Sequence, residues 1–76
     1  MLNPMPNPMV REIGRVTDTD GDNAIIGVAY ETVTVDIRGY VRLDATQQED
    51  FARLFVAAVW AAGHNKARME EDARDE

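Results

Sequence analysis

The sequence contains no cysteine and no serine, and it has a single histidine. Without cysteine, a disulfide framework and a thiolate metal site are both excluded. Without serine or cysteine, the usual nucleophiles of acyl transfer are missing as well. No carboxylates are paired in a recognisable catalytic frame. We therefore expect a protein that is not an enzyme, has no catalytic or metal-binding residue and uses no cofactor.

The chain is also poor in positive charge and in long apolar runs. Eight Lys and Arg stand against 14 acidic residues in 76, which gives a net charge of −6 that is spread evenly along the chain. The absence of a basic stripe argues against direct nucleic-acid binding. The longest apolar run, residues 54–62, is too short to span a bilayer, and the first residues lack the basic segment of a signal peptide. We expect a cytoplasmic protein without membrane contact.

The remaining pattern predicts one small α+β domain with the order β-β-β-α. A small antiparallel meander of about three strands is followed by one long amphipathic helix. Prolines at every second position in residues 1–9 favour an extended arm. Residues 10–63 form the predicted domain, and residues 64–76 form a charged tail that is partly helical or disordered.

The first predicted strand covers residues 10–17, and its apolar residues share a face only if Gly14 marks a bulge. Residues 18–23 are rich in Asp, Asn and Gly, as is typical of a turn. Residues 24–37 change phase near position 31, where no Gly or Pro lies. We interpret them as one long bent strand in preference to two strands.

A hairpin turn at Arg38 and Gly39 is then predicted to lead into a last strand at residues 40–43. The helix follows directly. Asp44 is a suitable N-cap with Gln47 three residues later, although a capping box that starts two residues further on fits equally well.

Two apolar faces run along the predicted helix. The first has helical spacing and should lie on the sheet; it consists of Phe51, Leu54, Phe55, Ala58, Val59 and Ala62. Val56 and Trp60 form a second stripe, with Trp60 roughly opposite Phe51. One small sheet covers only one side of a helix, so the second stripe needs another surface. Gly63 is predicted to end the helix.

Three surfaces are available to cover the second stripe: the chain's own ends, a second copy and a partner protein. About 50 residues of folded core are marginally stable alone, and oligomerisation is a common remedy. We therefore predict a homodimeric or partner-binding module, in its most concrete form a phage-encoded regulator or antagonist of a larger host protein. The candidate interface residues are Phe51, Phe55, Val56, Val59 and Trp60.

Four arginines suggest a second function. Arg11 and Arg15 are four residues apart on one strand and should share a face, and Arg38 and Arg42 flank the predicted hairpin turn. Clustered guanidinium groups bind carboxylates and phosphates with two parallel hydrogen bonds. The alternative hypothesis is therefore an oligomeric protein that binds or sequesters an anionic metabolite or nucleotide.

The turn after the first strand partly copies a calcium-binding loop. Asp18, Asp20 and Asp22 occupy its first three ligand positions. Asn23 replaces the required Gly, and Ala29 replaces the bidentate Glu. A solvated turn is the better interpretation.

Residues 31–63 resemble the N-terminal dimerisation domain of the actinobacterial xenogeneic-silencer nucleoid proteins. The shared pieces are the strand start at residues 31–33, the Gly39-Tyr40 pair, the Asp44-capped helix and the helix end at residues 60–63. The resemblance implies pairing of two copies. The family's basic linker and DNA-binding half have no counterpart here, so it implies dimerisation without DNA binding.

Overall fold

The computed structural model describes residues 10–74, with side chains for residues 10–71. It contains the strands β1 (Val10–Thr17), β2 (Asn23–Ala29) and β3 (Thr32–Arg38) and the helix α1 (Ala45–Arg74). The strands form one antiparallel sheet in the order β1-β2-β3, and α1 packs on one face of it. The predicted α+β class and β-β-β-α order are confirmed. The predicted arm, residues 1–9, lies outside the described residues.

A bulge in β1 lets its apolar residues face the helix. The register with β2 shifts between Glu12 and Gly14, as the sequence pattern predicts. The extra residue moves the second half of the strand by one position, which turns its side chains to the other face. Val16 consequently joins Ile13 on the helix side of the sheet, where Ile13 packs against the core and Val16 is buried.

The prediction of one bent strand over residues 24–37 is wrong. A tight turn separates β2 from β3, because Ala29 pairs directly with Thr32. Tyr30 adopts a φ of 56° in this turn, a left-handed conformation that Gly, Asn or Asp would normally signal. The third strand is therefore Thr32–Arg38, and residues 40–43 form a linker to α1 instead of the predicted strand.

Asp18 connects the β1–β2 turn to this linker. Its carboxylate accepts backbone N–H groups from Asp20 at 2.9 Å, Asp22 at 3.0 Å and Arg42 at 3.1 Å. The carboxylate of Asp22 accepts the N–H of Tyr40 at 3.2 Å. Asp18 is only 6% exposed. The turn is therefore a structural junction, and its interpretation as a solvated turn is wrong for Asp18.

Side-chain hydrogen bonds hold α1 on the sheet at two places. Asp44 and Gln47 form the reciprocal capping box, with Gln47 N–H donating to Asp44 Oδ1 at 2.9 Å and Asp44 N–H donating to Gln47 Oε1 at 3.0 Å. Gln47 Nε2 also donates to the carbonyl of Thr17, at the end of β1, at 3.1 Å. Asn65 Nδ2 donates to the carbonyl of Tyr30 at 2.7 Å. The helix thus crosses the sheet from β1 to the β2–β3 turn.

α1 does not end at Gly63, which corrects the prediction from the sequence. The helix continues to Arg74, and the described glycines with positive φ are Gly21 and Gly39 only. The residues after Gly63 are mostly Ala, Lys, Arg, Met and Glu, which favour helix. The 30 residues of α1 extend ~45 Å. Strands of seven or eight residues extend only ~27 Å, so the last turns of α1 project beyond the sheet.

The core between sheet and helix is small. Ile26 is the only large side chain that is fully buried among the described residues. In the described part of the chain, the buried apolar residues are Val16, Ala24, Ile26, Val28, Ala58 and Ala62. Half of this set is alanine, so the domain buries little apolar side chain for its length. Within residues 10–74, α1 falls short of the length and apolarity that a membrane-spanning helix needs.

Candidate interaction surface

Four large apolar side chains lie exposed on one side of α1. Their exposed fractions are 40% for Phe55, 53% for Val56, 48% for Val59 and 76% for Trp60. We call these four residues the apolar stripe. Side chains of this size are normally buried, and a contiguous exposed group of them usually marks a contact with another molecule.

The structure divides the predicted helix faces differently from the sequence pattern. Ala58 and Ala62 are buried on the sheet, and Phe51 and Leu54 pack beside them, as predicted. The sequence pattern predicts that Phe55 and Val59 face the sheet, but the structure places both in the exposed apolar stripe. Among the predicted interface residues, Phe51 is part of the core, and its ring stacks on that of Phe55 with centroids 6.4 Å apart.

The position of Leu54 shows which way the stripe faces. A Cβ atom added at Gly14 in β1 would lie 2.5 Å from Leu54 Cδ2, so Leu54 rests on β1. Successive helical residues turn by about 100°. Phe55 therefore lies on the other side of the buried Ala58, towards β3, while Trp60 points away from the sheet. On the β1 side of the helix, the residues that follow Leu54 are the small Ala57 and Ala61.

An apolar corner of the sheet stays uncovered beside the stripe. Val35 lies opposite Ile26 and Ile37 lies opposite Ala24, so both share the face on which α1 packs. Their β2 neighbours are buried, whereas Val35 is 44% and Ile37 51% exposed. The oblique path of α1 explains the difference, because the helix comes close to β3 only near Val33. We call Val35 and Ile37 the uncovered corner.

No sequence pattern signals the uncovered corner directly. The alternation of Val33, Val35 and Ile37 predicts an apolar face correctly. It carries no information on how far across that face a helix lies. The corner follows from the two hydrogen bonds that anchor α1 at Thr17 and at Tyr30.

The bulge in β1 separates two of the candidate anion-binding arginines. Arg11 lies opposite Val28, on the face that α1 covers, whereas Arg15 lies opposite Ile25, on the open face. The prediction that Arg11 and Arg15 share a face is therefore wrong. A four-residue spacing keeps two side chains on one face only in a regular strand.

The other candidate arginines do not complete a cluster. Arg15 and Arg38 line one groove on the open face of the sheet, but each already pairs with a carboxylate. Arg15 contacts Glu12 at 2.8 Å, and Arg38 contacts Asp36 at 3.1 Å. The hydrogen bond from Arg15 lowers the pKa of Glu12. Arg42 lines a separate depression beside α1.

The acidic turn has no geometry suited to a metal ion. Within the described part of the chain, no three His, Asp or Glu side chains form a group that could hold one. The oxygens of Asp18 instead accept backbone N–H groups, and these hydrogen bonds lower the pKa of Asp18. The bond from the N–H of Arg42 has the largest effect. Its carboxylate therefore acts as a structural anion within the turn.

Comparison with known protein families, curated proteins and solved structures finds no match to this chain. The resemblance of residues 31–63 to the nucleoid silencers stays a prediction. The apolar stripe and the uncovered corner are consequently the features of the structure that bear on function.

Proposed function

We propose that this protein is a non-enzymatic interaction module that associates with a second copy of itself through the apolar stripe on α1. One observation carries the proposal. Four large apolar side chains lie exposed on one side of the helix, whereas Ile26 is the only large side chain fully buried within residues 10–71. A domain with so small a core gains stability when a second surface covers its exposed apolar area.

The charges that flank the stripe favour a second copy in antiparallel orientation. Residues 54–63 carry no charge. Glu49 and Lys66 lie outside this segment, at equal distances along the chain from the midpoint of the apolar stripe between Ala57 and Ala58. Two antiparallel helices related by a two-fold axis would place Glu49 of each copy beside Lys66 of the other. The same alignment places Phe55 opposite Trp60 and Val56 opposite Val59.

The exposed fraction of one stripe residue indicates how much that residue contributes to the free energy of association. Val59 is 48% exposed. Full burial of a valine contributes ~1.5–3 kcal/mol, so burial of the remaining half contributes ~0.7–1.5 kcal/mol in each copy. Because both copies contribute Val59 to a two-fold interface, this free energy is gained twice. Loss of this contact should therefore weaken association by about 10-fold to 100-fold.

The test compares Val59→Asp with Ala57→Asp by sedimentation equilibrium. Ala57 is exposed on the opposite side of the same helix turn, so Ala57→Asp introduces the same negative charge outside the apolar stripe. We expect the wild type and Ala57→Asp to associate and Val59→Asp to be monomeric and still helical by circular dichroism. Equal association constants for the two variants would refute the proposal.

The other predicted functions receive less support. An anion-binding site needs converging guanidinium groups, and the four candidate arginines are divided between two faces and a linker. Action as a regulator of a larger protein stays a prediction.

A further inference from the structure

We infer that two copies also join their sheets, with the outer edge of β3 in one copy pairing antiparallel to β3 in the other, Val35 opposite Val35. The inference rests on the proposed function, because it specifies how the same two copies meet. It is carried by different residues, those of the sheet edge and the uncovered corner. The product is a continuous six-stranded sheet, two copies of the three-stranded one, with both helices on one face.

The two edges of the sheet differ in how well they resist pairing. β1 carries a bulge between Glu12 and Gly14, and the segment that precedes it contains three prolines, features that discourage edge-to-edge contact. β3 pairs with β2 over its whole length without a register shift. Its seven residues, TVTVDIR, contain neither Gly nor Pro, and five of them are the β-branched residues Val, Ile and Thr. Such an edge is a template for another strand.

The side chains of β3 select one register for a two-fold pair. With Val35 opposite Val35, each Val33 faces Ile37 of the other copy, and the helix-side row is entirely apolar. On the open face, Asp36 then lies opposite Thr34. A register centred on Asp36 would place two carboxylates opposite each other, which is destabilising. A register centred on Thr34 would place Ile37 opposite Glu31.

The pairing covers the surface that one copy leaves open. Val35 and Ile37 are about half exposed because α1 crosses the sheet obliquely from the end of β1 and packs against β3 at Val33. The two-fold axis brings the covered end of one β3 beside the uncovered end of the other. The second copy's helix then lies on the side where Phe55 and Val59 face. The stripe and the corner become one shared apolar layer.

A second copy is the occupant that this edge favours. The described part of the chain begins at Val10, in β1, and β2 lies between β1 and β3. An unrelated peptide strand would pair with the edge as well. Such a peptide brings no second helix to cover the uncovered corner and the apolar stripe together. Because β3 is complementary to a second β3 in the register centred on Val35, a second copy is the favoured occupant.

Disulfide trapping tests the register, because the chain has no cysteine of its own. In the inferred pair, the Cβ atoms at position 35 are about 5 Å apart, close to the separation that a disulfide needs. The two positions 37 are separated by four residues along the strands, too far for a bond. Val35→Cys and Ile37→Cys are therefore matched variants on the same face of the same strand, with similar exposure.

We expect Val35→Cys to form a covalent dimer in a glutathione redox buffer, with at least about 10-fold more cross-linking than Ile37→Cys, because proximity raises the effective thiol concentration. A mixture of Val33→Cys and Ile37→Cys should cross-link between the two variants, which reports the same register from other positions. A wild type of twice the chain mass, combined with no cross-link at position 35 or with more cross-linking at position 37 than at 35, would overturn the edge pairing. The proposed function would then remain intact. Monomeric wild type would overturn both.

Discussion

Gly63→Ala separates the helix seen in the structure from the helix that the sequence pattern predicts. Gly63 lies within α1 without a positive φ, and a Cβ atom added there meets no other atom within 4 Å. Alanine is more favourable than glycine in a helix interior by about 1 kcal/mol. We expect the variant to be more stable by that amount, with a melting temperature higher by about 4–8 °C.

The opposite sign is expected if Gly63 ends the helix. A left-handed C-terminal position disfavours alanine by about 1–2 kcal/mol. Thermal and urea unfolding followed by far-ultraviolet circular dichroism measure the difference. Gly63 lies beside Val59 and Trp60, so the comparison should be repeated in the Val59→Asp background to remove any effect on association. A destabilised Gly63→Ala variant in that background would refute the continuous helix.

Two further predictions concern the packing of α1 and the acidic turn. Gly14→Ala should destabilise the wild type by about 1–3 kcal/mol through overpacking against Leu54, but should be nearly neutral in a Leu54→Val background; additive effects in urea unfolding would show that Leu54 does not rest on Gly14. Asp18→Asn should lower stability at pH 7, whereas Asp20→Asn, in the same turn, should not. Because folding lowers the pKa of Asp18, its contribution is present above the unfolded value of about 4 and is lost as the pH falls through the folded pKa, so the wild type and Asp18→Asn should converge in acid. A difference that persists unchanged below that pKa would contradict this assignment.

Local signals in the sequence were sufficient for the features that depend on neighbouring residues. The bulge near Gly14 follows from the alternation of apolar residues, and the structure confirms it. Capping chemistry allowed a box at Asp44 or two residues later, and the structure shows the one at Asp44. The turn at Tyr30 could not be predicted in this way, because a tyrosine in the left-handed region gives no compositional signal. The misplaced third strand follows from that single turn.

The candidate surface depended on longer-range information. The sequence identified Val56 and Trp60 as residues that the sheet cannot cover, and the structure places both in the open. It assigned Phe55 and Val59 to the core because helical periodicity defines a face without locating its centre. Burial of the small Ala58 and Ala62 set that centre, and the hydrogen bond from Asn65 to the β2–β3 turn set the path of the helix.

The mass of the wild-type protein in solution tests the central claim most directly. Sedimentation equilibrium over a dilution series should give twice the mass of one chain at micromolar concentration, with a reversible decline to one chain on dilution. The Val59→Asp variant should have the mass of one chain throughout. A wild type that remains monomeric across the series, and is as stable as Val59→Asp, would contradict the proposal that the apolar stripe binds a second copy.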